Sequence, residues 1–163
     1  MGGLRAWGMA AAAATASAPA AAQDLGNLQS MVILSGGCER LVLAGRDATA
    51  ACGSAVVNLN YRTGRTSFAF TEGDARMVSF SGMSTPAEGD AARHALDMIT
   101  VAEGPDAAVR SEPATGACEY SNPYAGRSYV RCTARTEAGD YVGTFTSDGS
   151  PPNVTRFPEP PAG

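Results

Sequence analysis

Residues 55–81 read AVVNLNYRTGRTSFAFTEGDARMVSFS, and this run decides the fold class. Its period is two: Val57, Leu59 and Tyr61 fall on one side of an extended chain, and Val56, Asn58 and Asn60 on the other. Thr63 and Gly64 then supply a turn, and the return strand over residues 66–71 places Phe68 and Phe70 on one face, so the hairpin can bury an aromatic and aliphatic surface. Glu72, Gly73 and Asp74 turn the chain again, into residues 76–81, where Val78 and Phe80 alternate with Ser79 and Ser81. Three such strands in succession predict an antiparallel meander, and the whole chain reads as all-β, a sandwich or small barrel.

Outward from this core the same grammar continues. A short apolar run, Leu41 to Ala44, precedes it, and Tyr120, residues 129–134 and residues 141–146 read as further strands. Val109 marks a short strand, while Pro113 and Gly116 lead into the second half. The segment after the polar loop at residues 82–90 is ambiguous, because Asp90 could cap a helix carrying Ala92, Ala95, Leu96 and Ile99 at helical spacing. A strand over residues 95–101 is the preferred reading.

The four cysteines form two pairs of equal spacing, Cys38 with Cys52 and Cys118 with Cys132, each 14 positions apart and each opening on Cys-Glu. Four cysteines allow three pairings, and the equal spacing favours the sequential one, with each bridge closing a loop worth about 3 kcal/mol. Structural zinc wants closer cysteine pairs and more than the single histidine present, and no Cys-x-x-Cys redox motif occurs. Downstream of each pair comes a glycine turn and then Phe70-Thr71 or Phe145-Thr146, which suggests two similar disulfide-stapled hairpin units.

Disulfides fit an exported chain, and the N-terminus reads that way. Arg5 precedes an alanine-rich run, and Ala20, Ala21 and Ala22 stand before Gln23 and Asp24, the layout of a cleavable signal peptide over residues 1–22; an uncleaved Ala/Pro leader is the alternative. Ser35 occupies the position three before Cys38, where a lipidation signal would want leucine. The expected organisation is then an N-terminal linker at 23–37, a single β domain at 38–149 and a Pro-rich tail at 150–163. Beyond the leader no stretch approaches the roughly 18 apolar residues of a membrane span. The expected location is periplasmic or secreted.

Charge narrows the partners. With 12 basic residues against 16 acidic ones the net charge is −4, and the basic residues are all arginines scattered singly, without the clustered footprint of a nucleic-acid binder. Arg62, Arg65 and Arg76 around the first hairpin could make a small anion patch, although scattered solubilising charge explains them as well. Glu72-Gly73-Asp74 and Asp148-Gly149 read as acidic turns, short of a calcium loop, and no cofactor or metal is implied. Asn153-Val154-Thr155 matches a glycosylation sequon by accident of composition.

Cys38-Glu39-Arg40-Leu41-Val42, Gly64-Arg65-Thr66, Ser79-Phe80-Ser81-Gly82, Asn122-Pro123-Tyr124 and the run Thr144 to Gly149 together resemble a group of small exported bacterial proteins with two disulfide-stapled β units. The resemblance covers residues 38–149, implies export, supports the cysteine pairing and brings no catalytic residue with it.

Chemistry has little to work with. His94 is the sole imidazole, it has no nucleophile elbow near it, and its polar neighbours suggest a surface histidine. Tyr120, Tyr124 and Tyr129 around Asn122-Pro123 form a candidate recognition surface, with burial in the second unit's core as the alternative. The sequence favours a binding or structural module that meets an envelope protein or a glycan. A small hydrolase working through carboxylates or His94, or an inhibitor of an enzyme, is the alternative.

Overall fold

The computed structural model describes residues 25–85, 89, 91–104 and 107–160, so the leader and its cleavage point lie outside the described residues. Ten strands follow one another: β1 (Leu28–Leu43), β2 (Arg46–Asp47), β3 (Ala55–Tyr61), β4 (Arg65–Glu72), β5 (Arg76–Ser84), β6 (Ala91–Ala102), β7 (Val109–Ser121), β8 (Tyr129–Thr136), β9 (Gly139–Ser147) and β10 (Asn153–Arg156). From β3 to β9 each strand pairs antiparallel with the next. The ambiguous segment is thus a strand, and a longer one than residues 95–101. Among the described residues no helix is long and apolar enough to cross a membrane.

Long β1 turns this meander into a closed barrel. Its first half pairs with β3, from Leu28 opposite Tyr61 to Ser35 opposite Ala55, and its second half pairs with β9, from Gly36 opposite Ser147 to Val42 opposite Val142. Eight strands therefore close on themselves around an interior that side chains can fill. Phe70, Phe80, Ile99, Val56, Val130 and Phe145 meet there, all buried. Phe70 and Phe145, the aromatic residues that match between the two cysteine units, both point into this core.

The structure departs from the expected boundaries at both ends of the domain. Residues 28–37, read as linker, are the first part of β1, and the Pro-rich tail contributes β10, whose Ser30–Arg156 to Ile33–Asn153 register extends the sheet beside β1. Both segments lack strong hydrophobic alternation, and pairing on an existing strand supplies what their own sequence does not.

The first hairpin also differs in which side it buries. Asn58 stands directly opposite Phe68 and Val57 opposite Ala69, so Val56, Asn58 and Asn60 share the inner face with Phe68 and Phe70. Val57, Leu59 and Tyr61 are only partly covered on the outer wall. Gly64, at φ 83°, makes the turn between the two strands as expected. Pro113 falls inside β7, at the place where the β6–β7 register shifts between Leu96 and Met98, so its missing N–H interrupts little.

Both disulfides pair sequentially. Cys118–Cys132 crosses directly between β7 and β8 with 4.0 Å between Cα atoms, and Cys38–Cys52 ties β1 to the chain entering β3 with 5.9 Å. Cys38 is thus a bridged residue inside a strand. Two buried or half-buried bridges are consistent with an oxidising, extracellular environment.

The two ends of the barrel are finished differently. At one, Glu72 accepts both guanidinium nitrogens of Arg46 at 2.7 and 2.8 Å and one of Arg76 at 2.9 Å, while Arg76 reaches Glu103 at 2.6 Å. This network links β2, β4, β5 and the end of β6. Glu72 consequently sits below the ordinary carboxylate range, chiefly through the Arg46 hydrogen bonds. Arg62 is used otherwise: it donates to the carbonyls of Leu28 and Phe157 at 2.7 and 2.6 Å and ties both ends of the domain together. With Arg65 paired to Asp97, the three arginines form no anion patch.

Candidate ligand-binding mouth of the barrel

At the opposite end the wall is split. β9 leaves β1 at Gly36, and from there toward the start of β1 the vacated edge is taken by β10, which pairs with nothing else. Across the gap stand the end of β7, the start of β8 and the turn between them. A cavity of about 200 Å³ opens here. Val32 and Leu34 of β1, Phe68 of β4, Val130 of β8 and Val154 of β10 form its apolar wall, and Tyr120, Pro123 and Tyr124 its aromatic side.

The connection between β7 and β8 is shaped by its own sequence. Asn122 caps a 3-10 turn over Pro123–Ala125 by accepting the Tyr124 N–H at 2.9 Å, and Pro123 supplies a fixed φ at the turn's start. The base is held by buried Ser128 and Ser147, whose hydroxyls lie 3.1 Å apart, and by Ser147 Oγ accepting the Ser128 N–H at 2.7 Å. Asn-Pro-Tyr is therefore a device that presents Tyr124, which is 65% exposed, at the rim.

Of the three candidate tyrosines, the cavity brings Tyr120 and Tyr124 together and leaves Tyr129 out. Tyr120 is half-buried against Phe68, with ring centroids 4.8 Å apart, and burial raises its hydroxyl pKa. Tyr129 lies apart with the Arg131 guanidinium 4.6 Å over its ring.

A polar shelf, which the sequence reading did not single out, faces the aromatic side. Asn60 Nδ2 donates to Asn58 Oδ1 at 2.7 Å and to Ser30 Oγ at 3.4 Å; Asn58 Nδ2 donates to Thr66 Oγ1 at 3.0 Å and to the Ser67 carbonyl at 3.1 Å. Ser30, which accepts in this chain, keeps its own hydroxyl hydrogen for another acceptor. The signal for this shelf was present in the alternation of Asn58 and Asn60, but only the register shows that they face inward.

Behind the cavity wall lies His94. It is 1% exposed, at 5.9 Å from the Phe68 ring and 5.8 Å from Tyr120, and directly across the ladder from Cys118. This overturns the surface histidine expected from its polar neighbours, because β6 alternates: Ala91, Arg93, Ala95 and Asp97 face out, and His94 and Leu96 face in. Neither ring nitrogen has a hydrogen-bond partner among the described residues, and burial, opposed weakly by Asp97, pushes its pKa down to about 4.

Two other hollows lie elsewhere. A broad depression of about 520 Å³ runs over β7, β8 and β9 beside the Arg135–Asp140 ion pair, and a smaller one adjoins the Arg46–Glu72–Arg76 network. Most of their charged groups are paired with one another, Arg110 in the smaller one excepted, whereas the split mouth combines an apolar wall with hydrogen-bonding capacity left over. Among the described residues no group of three His, Cys, Asp or Glu side chains is placed to hold a metal ion. Comparison with protein-family models, curated proteins and solved structures returns no match to this chain.

Proposed function

We propose that the protein is an exported binding module of the cell envelope that takes a small, largely apolar ligand into the split mouth of its barrel. The observation that carries this reading is the cavity of about 200 Å³ with aromatic and aliphatic walls and one polar shelf. Pockets that bind small molecules are mostly apolar, carry a few placed polar groups and often occupy barrel mouths. A cavity of about 150 Å³ is enough for benzene, so a single ring fits with room for a substituent. Envelope proteins and glycans remain outer partners of the rim, where Tyr124 projects.

Two results are expected. Benzene added to labelled protein shifts the amide signals of Val32, Phe68, Tyr120 and Val130, and Val154→Phe, which fills the opening from the half-buried position of β10, weakens that binding at least about tenfold while the protein stays folded. Shifts scattered over the outer wall, or equal binding by the variant, overturn the reading. Export predicts a mature chain that begins at Gln23, read by N-terminal sequencing; a chain still starting at Met1 counts against it.

A further inference from the structure

Resting on that reading of the mouth, we infer that its ligand is a small organic carboxylate, with its ring or branched body in the cavity and its carboxylate held at the rim by Arg156 and Ser30. Arg46, Arg65, Arg76, Arg93 and Arg135 each face a carboxylate, and Arg62 donates to main-chain carbonyls. Among the described residues Arg156 shares the lack of an ion pair with Arg40, Arg110, Arg127 and Arg131, but of these it is the one that lines the mouth. Arg156 lines the cavity, and among the described residues no carboxylate lies within ion-pair distance of it. No acidic side chain lines the cavity either. In a chain with more acids than bases, an arginine left unpaired at an apolar opening is the complement of an anion.

Register adds the second half of the site. Ser30 and Arg156 are directly opposed in the β1–β10 ladder, so both stand on the face that lines the cavity. Ser30 Oγ already accepts from Asn60 Nδ2, which leaves its O–H to donate. A carboxylate there receives two parallel N–H donors from the planar guanidinium and one O–H from serine. Phosphate monoesters fit less well, since a doubly charged group would want a second cation and none lines the cavity. The ligand body then lies inward of these donors, among Val130, Val154, Phe68 and Tyr120.

Phenylacetate and its neutral isostere phenylacetamide separate the possibilities when each is titrated into the full chain and into Arg156→Gln. The expected result is that the wild type binds phenylacetate about tenfold more tightly than the amide, the value of charge-assisted hydrogen bonds, and that Arg156→Gln abolishes the preference by weakening phenylacetate more than the amide. Arg156 is exposed, so the variant keeps the fold, which an unchanged thermal transition verifies. Equal binding of the two probes by the wild type, or a preference that survives in Arg156→Gln, overturns the carboxylate assignment and leaves the cavity standing. Binding of neither probe overturns the cavity reading itself.

Discussion

Replacing Gly36 by alanine is expected to destabilise the protein by about 4 kcal/mol or more, while the same change one residue later, at Gly37, stays within about 0.5 kcal/mol. A Cβ on Gly36 would lie 2.2 Å from the Thr146 carbonyl oxygen and 2.7 Å from the Ser147 Cα, both backbone atoms that cannot swing aside. A Cβ on Gly37 would meet nothing within 4 Å. Gly36 is the residue at which β1 exchanges β3 for β9, and its N–H is bonded to the Ser54 carbonyl at 2.9 Å while its neighbour's carbonyl accepts the Asp148 N–H. Forcing β9 away therefore opens the closure of the barrel, not one local contact. Against a total stability of about 5–15 kcal/mol for a domain of this size, the loss is large. Urea unfolding of the two variants measures it, and a similar small loss in both would show that β1 and β9 do not approach as closely as described.

Acid is expected to destabilise the fold through His94. The neutral imidazole is buried with a pKa near 4, against 6.5 when the chain is unfolded and the ring is in water. Between those values the unfolded state binds more protons than the native state, so stability falls as the pH drops. The contribution is intact above about pH 6.5 and is lost progressively down to about pH 4, by about 3 kcal/mol in all. Asp97 and Glu72, whose pKa values are lowered by their arginine partners, add losses only below their ordinary values of 3.8 and 4.5, at the acid edge of this window. His94→Leu keeps the volume, removes both unpartnered nitrogens and flattens the slope between pH 6.5 and 5. Urea midpoints of the wild type and the variant at pH 7 and pH 5 test this. Parallel midpoints at both pH values would mean that His94 is exposed or already partnered.

Much of the architecture was legible in local chemistry. The alternation over residues 55–81, the glycine turns and the equal cysteine spacing led to an antiparallel all-β chain with sequential disulfides, and those are the features found. The errors share a cause. Residues 28–37 looked like linker because Gln29, Ser30, Ser35, Gly36 and Gly37 dilute the apolar pattern, yet β1 is paired along its length, on both edges from Ser30 to Ile33, and needs little propensity of its own. His94 looked exposed because Arg93 and Asp97 flank it, although alternate residues of a strand face opposite sides. The candidate site was half visible: Tyr120, Tyr124 and Tyr129 stood out around Asn-Pro and the cavity takes in the first two, while Arg156 and Ser30 gave no sign of proximity.

What the sequence by itself determined was the set of short-range choices: strand against helix, the turns, and which cysteine meets which. These depend on residues within one hairpin, where period and turn chemistry act directly. Tertiary structure alone decided which face of each strand is inside, because inside is defined only when β1 closes the barrel and its curvature makes one face concave. That closure turned Asn58 and Asn60 inward, buried His94 and split the wall where β10 replaces β9. The β1–β10 pairing beside that split set Ser30 opposite Arg156, two residues distant in sequence that only the tertiary fold brings together.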